Sequence, residues 1–387
     1  MMENRNWKEY KIKDIAEVIG GGTPRTDNPD FWNGDIPWIT PRDLTGYSKR
    51  YISKGERFIS SEGLKGSSTR LLPKGTVLLT SRAPIGYVAI ADNEICTNQG
   101  FKNLVLNEDL VYNKFIYYWI KNNIDYLQSI GTGTTFAEIS GNVIKEIEIQ
   151  LPPLPEQKAI ASVLSSLDDK IDLLHQQNQT LEALAETLFR QWFIEEAKED
   201  WEEGKLGDEF DFTMGQSPPG NTYNENREGI PLYQGNADFG FRFPTNRIFT
   251  TEPKRFAEKF DTLISVRAPV GAQNMANEKC CIGRGVAAFK YKEHQSFFSY
   301  TYYKLASLMN EIKQFNEAGT VFGSISKSDF ENIDIVKPPK SLIEKFEIKV
   351  KPIDLKILEN SKQIQTLTQL RDTLLPKLMS GEVRVKN

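Results

Sequence analysis

Histidine and cysteine are scarce in this chain of 387 residues, which has two of the first and three of the second. Cys96, Cys280 and Cys281 have no framework spacing, which excludes a disulfide scaffold and fits a reducing compartment. With so few soft ligands a zinc site is not expected. No apolar run approaches the roughly 20 residues that span a bilayer, and the N-terminal stretch MMENRNWKEYKIKD is strongly polar. Neither export nor a membrane partner is expected, and the cytoplasm is the expected address. A net charge of -4 offers no global attraction to nucleic acid, although a binding face is a local property. What is present is an ordinary globular mixture, 39% hydrophobic and 26% charged, over a length that favours two domains.

Catalytic signatures are missing too. His175 and His294 have no nucleophile or carboxylate companion at a recognisable spacing. The run GTGTTF from Gly131 lacks both the dinucleotide-binding form and a P-loop lysine. Asn28-Pro29-Asp30-Phe31 approaches the tetrapeptide of DNA amino-methyltransferases, but Asp30 breaks the paired prolines and no cofactor-binding glycine motif accompanies it. No catalytic residue, metal ligand or bound cofactor is assigned to this chain.

The chain does carry an internal repeat. Arg82-Ala83-Pro84-Ile85-Gly86 is matched by Arg267-Ala268-Pro269-Val270-Gly271, and Cys96 by Cys281, both 185 residues on. Gly133-Thr134-Thr135-Phe136 with Ile139-Ser140 is matched by Gly319-Thr320-Val321-Phe322 with Ile325-Ser326, and Pro152-Pro153 by Pro338-Pro339, both at 186. Matches in the same order with so little drift indicate a duplication.

After each Pro-Pro the apolar residues step by three and four. The first stripe contains Leu164, Leu167, Ile171, Leu174, Leu181 and Leu188; the second contains Val350, Ile353, Ile357, Ile364, Leu367 and Leu374. Each predicts a long helix with one apolar seam. A helix of about 35 residues is about 50 Å long, too long to be covered by one domain, which favours mutual pairing over packing of each helix on its own domain. Asn178 and Asn360 interrupt the stripes, at different places, as register-setting residues do. Pro352 should bend or restart the second helix and Pro376 should disturb its last turn. The acidic run from 195 to 204 reads as a linker, with Gly204 ending the first helix. TVLLTS, YVAIA, DTLISV and GVAAFKY read as strands, and 111–127 and 297–314 as helices, so each globular part is mixed and the class is α+β.

Ala-Pro-x-Gly after a strand is a rigid turn that holds Arg82 and Arg267 in defined places. Each Arg either pairs inside its own domain or contacts phosphate. The segments that do not match between the copies are polar and basic: Arg42, Lys49, Arg50, Lys54, Lys65 and Arg70 in the first, Asn236, Arg242, Asn246, Arg247, Lys254 and Arg255 in the second. Cations for phosphates mixed with groups able to read base edges suit a DNA face, but loops of this composition are common.

GGTPRTDNPDFWNGDIPWIT, LTSRAPIG, GTTFAEIS, LPPLPEQKAIASVLSSLDDKIDLL and LRDTLLPKLMSGEVRV together resemble the specificity subunit of type I restriction-modification systems, over essentially the whole chain. The resemblance implies two repeated α/β target recognition domains, 1–153 and 205–338, separated by two long helices, 154–197 and 339–380, that form an antiparallel coiled coil. It implies that each domain reads one half of a split double-stranded DNA target while the helices set the gap and dock two methyltransferase subunits. Restriction subunits that translocate DNA would join the complex. Those partners, and not this chain, would use S-adenosylmethionine, ATP and Mg2+. The second copy departs from the motif before its helix, reading KPPKSLIEKF where the first reads LPPLPEQ, so the two docking surfaces could be unequal. The competing readings are a structural adaptor whose domains bind protein, and a stand-alone nuclease.

Overall fold

A computed structural model describes residues 6–133, 137–267, 269–314 and 324–385. The chain forms two units, Met1–Asp172 with Thr366–Asn387, and Leu173–Gln365. The repeat motifs Gly133–Phe136 and Gly319–Phe322 fall largely or wholly outside the described residues.

In the first unit the apolar run Val77–Ser81 is a strand buried at every position. Its alternating side chains feed two cores. Val77 and Leu79 pack with the helix residues Phe115, Ile116 and Ile120, while Leu78 packs on the other face with Ile39, Leu44 and Leu72. The sheet order is Ala16–Gly20, Phe101–Leu106, Val77–Ser81, Ile85–Ala91 and Tyr51–Ile52. All neighbours are antiparallel except the last pair. Beside it, Trp32–Ile39 pairs antiparallel with Arg57–Ile59 and parallel with Cys96–Thr97.

The second unit repeats this scheme. Phe210–Met214, Val286–Tyr291, Thr262–Ser265 and Gln273–Met275 form an antiparallel sheet in that order. Ile230–Tyr233 pairs parallel with Cys280–Ile282, setting Leu232 against Cys281 as Trp38 is set against Cys96. The helices expected over 111–127 and 297–314 are each divided, into Asn113–Asn122 and Ile124–Ser129, and into Phe298–Ser307 and Met309–Gln314. The repeated Ile-Ser has a local cause: Ile139 and Ile325 are buried, and Ser140 and Ser326 cap short helices by accepting from Val143 and Asp329 N–H.

The long helices are Leu154–Arg190, 37 residues, and Lys340–Met379, 40 residues, about 55 and 60 Å at 1.5 Å per residue. The second runs through both prolines. Pro352 and Pro376 are exposed, so the carbonyls left without an intrahelical donor face water. The first helix closes in a π turn, Gln191–Glu195. Gly204 does not end it; Glu202–Lys205 is a strand paired with Asp334–Lys337, with Gly204 opposite Ile335. Asn178 and Asn360, which interrupt the two stripes at different steps, face each other: Asn360 Nδ2 donates to Asn178 Oδ1 at 3.0 Å, and Asn178 Nδ2 donates to Ser361 Oγ at 3.3 Å. Both asparagines are buried.

Of the seam residues, Leu164, Ile171, Leu174, Val350 and Ile357 are buried, and Leu167, Leu181, Leu188, Ile353, Ile364, Leu367 and Leu374 are half-buried. In the second unit Phe346 packs on Phe189 and Phe193 with ring centroids 5.8 and 5.2 Å apart. Gln157, in the LPPLPEQ motif, is buried within the first unit. Its amide donates to Leu110 O and Pro152 O and accepts from Tyr112 N–H, so this member of the motif ties the helix start to its own domain. No helix among the described residues is long and apolar enough to cross a membrane.

Candidate nucleic-acid interface

At one end of the main sheet of each unit, four backbone segments converge through equivalent hydrogen bonds. In the first unit Gly21 N–H donates to Phe101 O, Gly22 N–H to Thr97 O, Ser81 N–H to Gly100 O and Asn98 N–H to Ile39 O. In the second the counterparts are Gly215 to Val286, Gln216 to Ile282, Val266 to Gly285 and Gly283 to Tyr233. Glycine is required where the segments touch. A Cβ on Gly21 would lie 1.9 Å from Asn98 O, and one on Gly215 would lie 2.1 Å from Gly283 O.

The crossing builds a cleft of about 230 Å³ in the second unit, lined by Ser217, Gln234, Asn236, Arg267 and Arg284 with two glycines. The equivalent side chains in the first unit are Thr23, Thr40, Arg42, Arg82 and Gln99. Thr23 Oγ1 hydrogen-bonds Gln99 Oε1, and in the second unit Ser217 Oγ accepts from Arg284 N–H at 3.3 Å. The turn after each central strand is also held alike. Thr80 Oγ1 accepts from Tyr87 N–H, Ser265 Oγ accepts from Ala272 N–H, and Gly86 and Gly271 adopt φ of 105° and 85°.

Of the residues at these crossings, Arg42, Arg82, Asn236 and Arg267 were expected from the sequence, and Gln99 and Arg284 were not. The signal was available: continuing the match of Cys96 with Cys281 by three residues reaches both. Arg82 is partly exposed and 3.8 Å from the Glu138 carboxylate, whereas Arg267 is exposed. Arg42 stands 3.9 Å from Glu56, also in the open. Lys49, Lys54, Lys65, Lys254 and Arg255 are exposed. Arg70 reaches Glu17 at 3.4 Å, Arg247 is held by Asp238 at 2.6 Å, and Asn246 accepts from the Tyr233 hydroxyl and donates to Glu278.

Arg50 and Arg242 are placed differently, with side chains 7% and 1% exposed. Arg50 donates to the Tyr118 hydroxyl at 3.0 Å and Asp169 at 2.5 Å, and Tyr118 donates to Asp168 at 2.6 Å. Arg371 of the second long helix also pairs with Asp168, at 2.9 Å. In the second unit Arg242 pairs with Glu182 and Asp354, donates to the Tyr303 hydroxyl and lies 3.7 Å from the Tyr302 ring centre. Tyr118 and Tyr303 are repeat equivalents, as are Asp168 and Asp354. Burial by itself would lower both guanidinium pKa values, but the neighbouring tyrosines and carboxylates outweigh it and hold both firmly protonated. These two arginines fasten each globular part to the helices, and neither side chain is available to a surface ligand. Among the described residues no group of His, Cys, Asp or Glu could hold a metal ion.

The sequence pattern of the type I restriction modification DNA specificity domain matches residues 4–183 and 198–373. The chain is 38% identical to the type I restriction enzyme MjaIX specificity subunit of Methanocaldococcus jannaschii, over 99% of this chain and 94% of that one. It is 22% identical to the HindI specificity subunit of Haemophilus influenzae, over 98% and 100% of the two chains. In fold it is similar to the crystal structure of the type I restriction-modification S subunit from M. genitalium, with a TM-score of 0.67 at 22% identity over 98% and 97% of the chains. The chain belongs to the family of type I restriction-modification specificity subunits.

Proposed function

We propose that this chain is the DNA-recognition subunit of a type I restriction-modification complex, each unit reading one half of a split double-stranded target. The observation that carries the reading is the backbone frame built twice on one hydrogen-bond plan with different polar side chains. A repeated frame with divergent donors is what reading two unlike half-sites on a quasi-symmetric duplex requires. The exposed cations Arg42, Lys49, Lys54, Lys65, Arg70 and Arg82, and Arg247, Lys254, Arg255 and Arg267 with Asn236 and Asn246, supply phosphate and base contacts. Arg50 and Arg242 position the domains.

The long helices form an antiparallel coiled coil that sets the gap and docks two methyltransferase subunits. The second unit supports the antiparallel sense by itself: as the first helix advances from Asn178 to Phe193, its partners step back from Asn360 to Phe346. Methyl transfer, ATP-driven translocation and cleavage belong to partner methyltransferase and restriction subunits that bring S-adenosylmethionine, ATP and Mg2+, and the complex works in the cytoplasm.

Mapping of methylated adenines in the host genome, with the gene intact and deleted, tests this. Loss of one bipartite motif on deletion is expected. If the map is unchanged while the methyltransferase subunits are expressed, and their purified complex with this chain binds no split sequence, the reading fails.

A further inference from the structure

The two crossings share their backbone but not their side chains, and the difference separates two kinds of contact. The sugar-phosphate backbone is the same on both half-sites, so a phosphate-binding position should carry a cation in both units. Arg82 and Arg267 meet that condition, from equivalent turns. Base edges differ between half-sites, so a reading position should change its donor pattern between units. Gln99 and Arg284 meet that condition. They occupy the same point of the frame, one residue before Gly100 and Gly285, whose carbonyls accept from Ser81 and Val266 N–H. Both residues are exposed, and Arg284 lines the cleft of its unit.

We infer that Arg284 and Gln99 are specificity-determining residues of the two half-sites, Arg284 for guanine and Gln99 for adenine. The inference rests on the DNA-recognition reading above. A guanidinium fork donates two hydrogen bonds to guanine O6 and N7, and a carboxamide donates to adenine N7 while accepting from N6. The surroundings agree with those roles. Among the described residues Arg284 makes a hydrogen bond only through its backbone N–H, to Ser217, and its side chain lines the cleft with Gln234 and Asn236. Gln99 has its Oε1 oriented by Thr23, which leaves the amide N–H groups to donate and one oxygen lone pair to accept. The contending ligand for Arg284 is a phosphate oxygen, which a guanidinium binds equally well.

The full chain is expressed with its methyltransferase subunits in a strain free of adenine methylation, and the methylated motif is sequenced for wild type, Arg284→Gln, Gln99→Arg and Arg267→Ala. Arg284→Gln is expected to change one base position in one half-site, weakening preference for guanine there by about 10-fold or more, with the other half-site and the gap unchanged. Gln99→Arg should change one position in the opposite half-site. Arg267→Ala should lower methylation evenly across sites and keep the motif. An unchanged motif with evenly reduced methylation in Arg284→Gln would assign Arg284 to phosphate and overturn the inference, as would an unaltered map. If both Arg284→Gln and Gln99→Arg melt well below wild type and direct no methylation, the residues are structural and the inference is also overturned. A wild-type chain that directs no motif would instead refute the DNA-recognition reading.

Discussion

Tyr300 sits between two buried carboxyl groups, and that placement has a pH signature. Its hydroxyl donates to Glu209 Oε1 at 3.0 Å and its backbone N–H donates to Glu347 Oε1 at 2.7 Å. Burial pushes Glu209 up to about 7 and Glu347 up to about 8. Lys304 and Lys337 oppose the first shift; Ser299, Lys351 and the Tyr300 N–H oppose the second, and Asp354 adds to it. Among the described residues neither second oxygen has a hydrogen-bond partner. A carboxyl whose folded-state pKa is raised contributes stability below its unfolded value, near 4.5, and loses it as pH rises toward the folded value. The wild-type chain should therefore lose stability between about pH 5 and pH 8 through these two groups. Glu347→Gln keeps an acceptor for Tyr300 N–H and should flatten that dependence, gaining on wild type at pH 8.5 by an amount on the order of a few kcal/mol. Denaturation at pH 5.5 and pH 8.5 checks it, and parallel wild-type and variant curves would refute it. At this scale the sequence was only partly legible. Arg242 and Arg247 look alike in RFPTNR, yet the first is buried among carboxylates and the second stands at the surface, because burial depends on segments 60 and more residues away.

At the scale of elements the asparagine pair is the most informative feature. The heptad pattern located both residues, but only the packed helices place them opposite each other, with Ser361 accepting from Asn178. Asn360→Ala should leave the buried Asn178 Oδ1 without its donor and cost about 1–3 kcal/mol. The Asn178→Leu/Asn360→Leu double variant should recover most of that loss while relaxing the register. Denaturant unfolding of the single and double variants decides it; strictly additive losses would mean the two residues are independent. The prolines teach the converse lesson. Propensity predicts a break at Pro352, but the exposed side of a helix anchored by Phe346, Val350 and Ile357 absorbs the missing hydrogen bond.

For the whole molecule, both long helices contribute residues to both units, the first across Asp172 and Leu173 and the second across Gln365 and Thr366. If they act as the spacer, removing one heptad from each changes the spacer by about 10 Å, close to three base pairs at about 3.4 Å each. The expected outcome is a methylated motif with the same two half-sites and an altered gap, or no methylation. Retention of the native gap would remove the helices from that role.

The duplication, the α+β class, the two long helices and the apolar stripes along them were determined by sequence alone, because repeats and hydrophobic periods are properties of neighbouring residues along the chain. The strand at the end of the acidic run, the opposition of Asn178 and Asn360, the burial of Arg50 and Arg242 and the meeting of Ser217, Gln234, Asn236, Arg267 and Arg284 were decided only by tertiary structure. Each depends on backbone segments far apart in sequence approaching within a hydrogen bond or a missing Cβ of one another, as at Gly21 and Gly215, and no local pattern records which segments will meet.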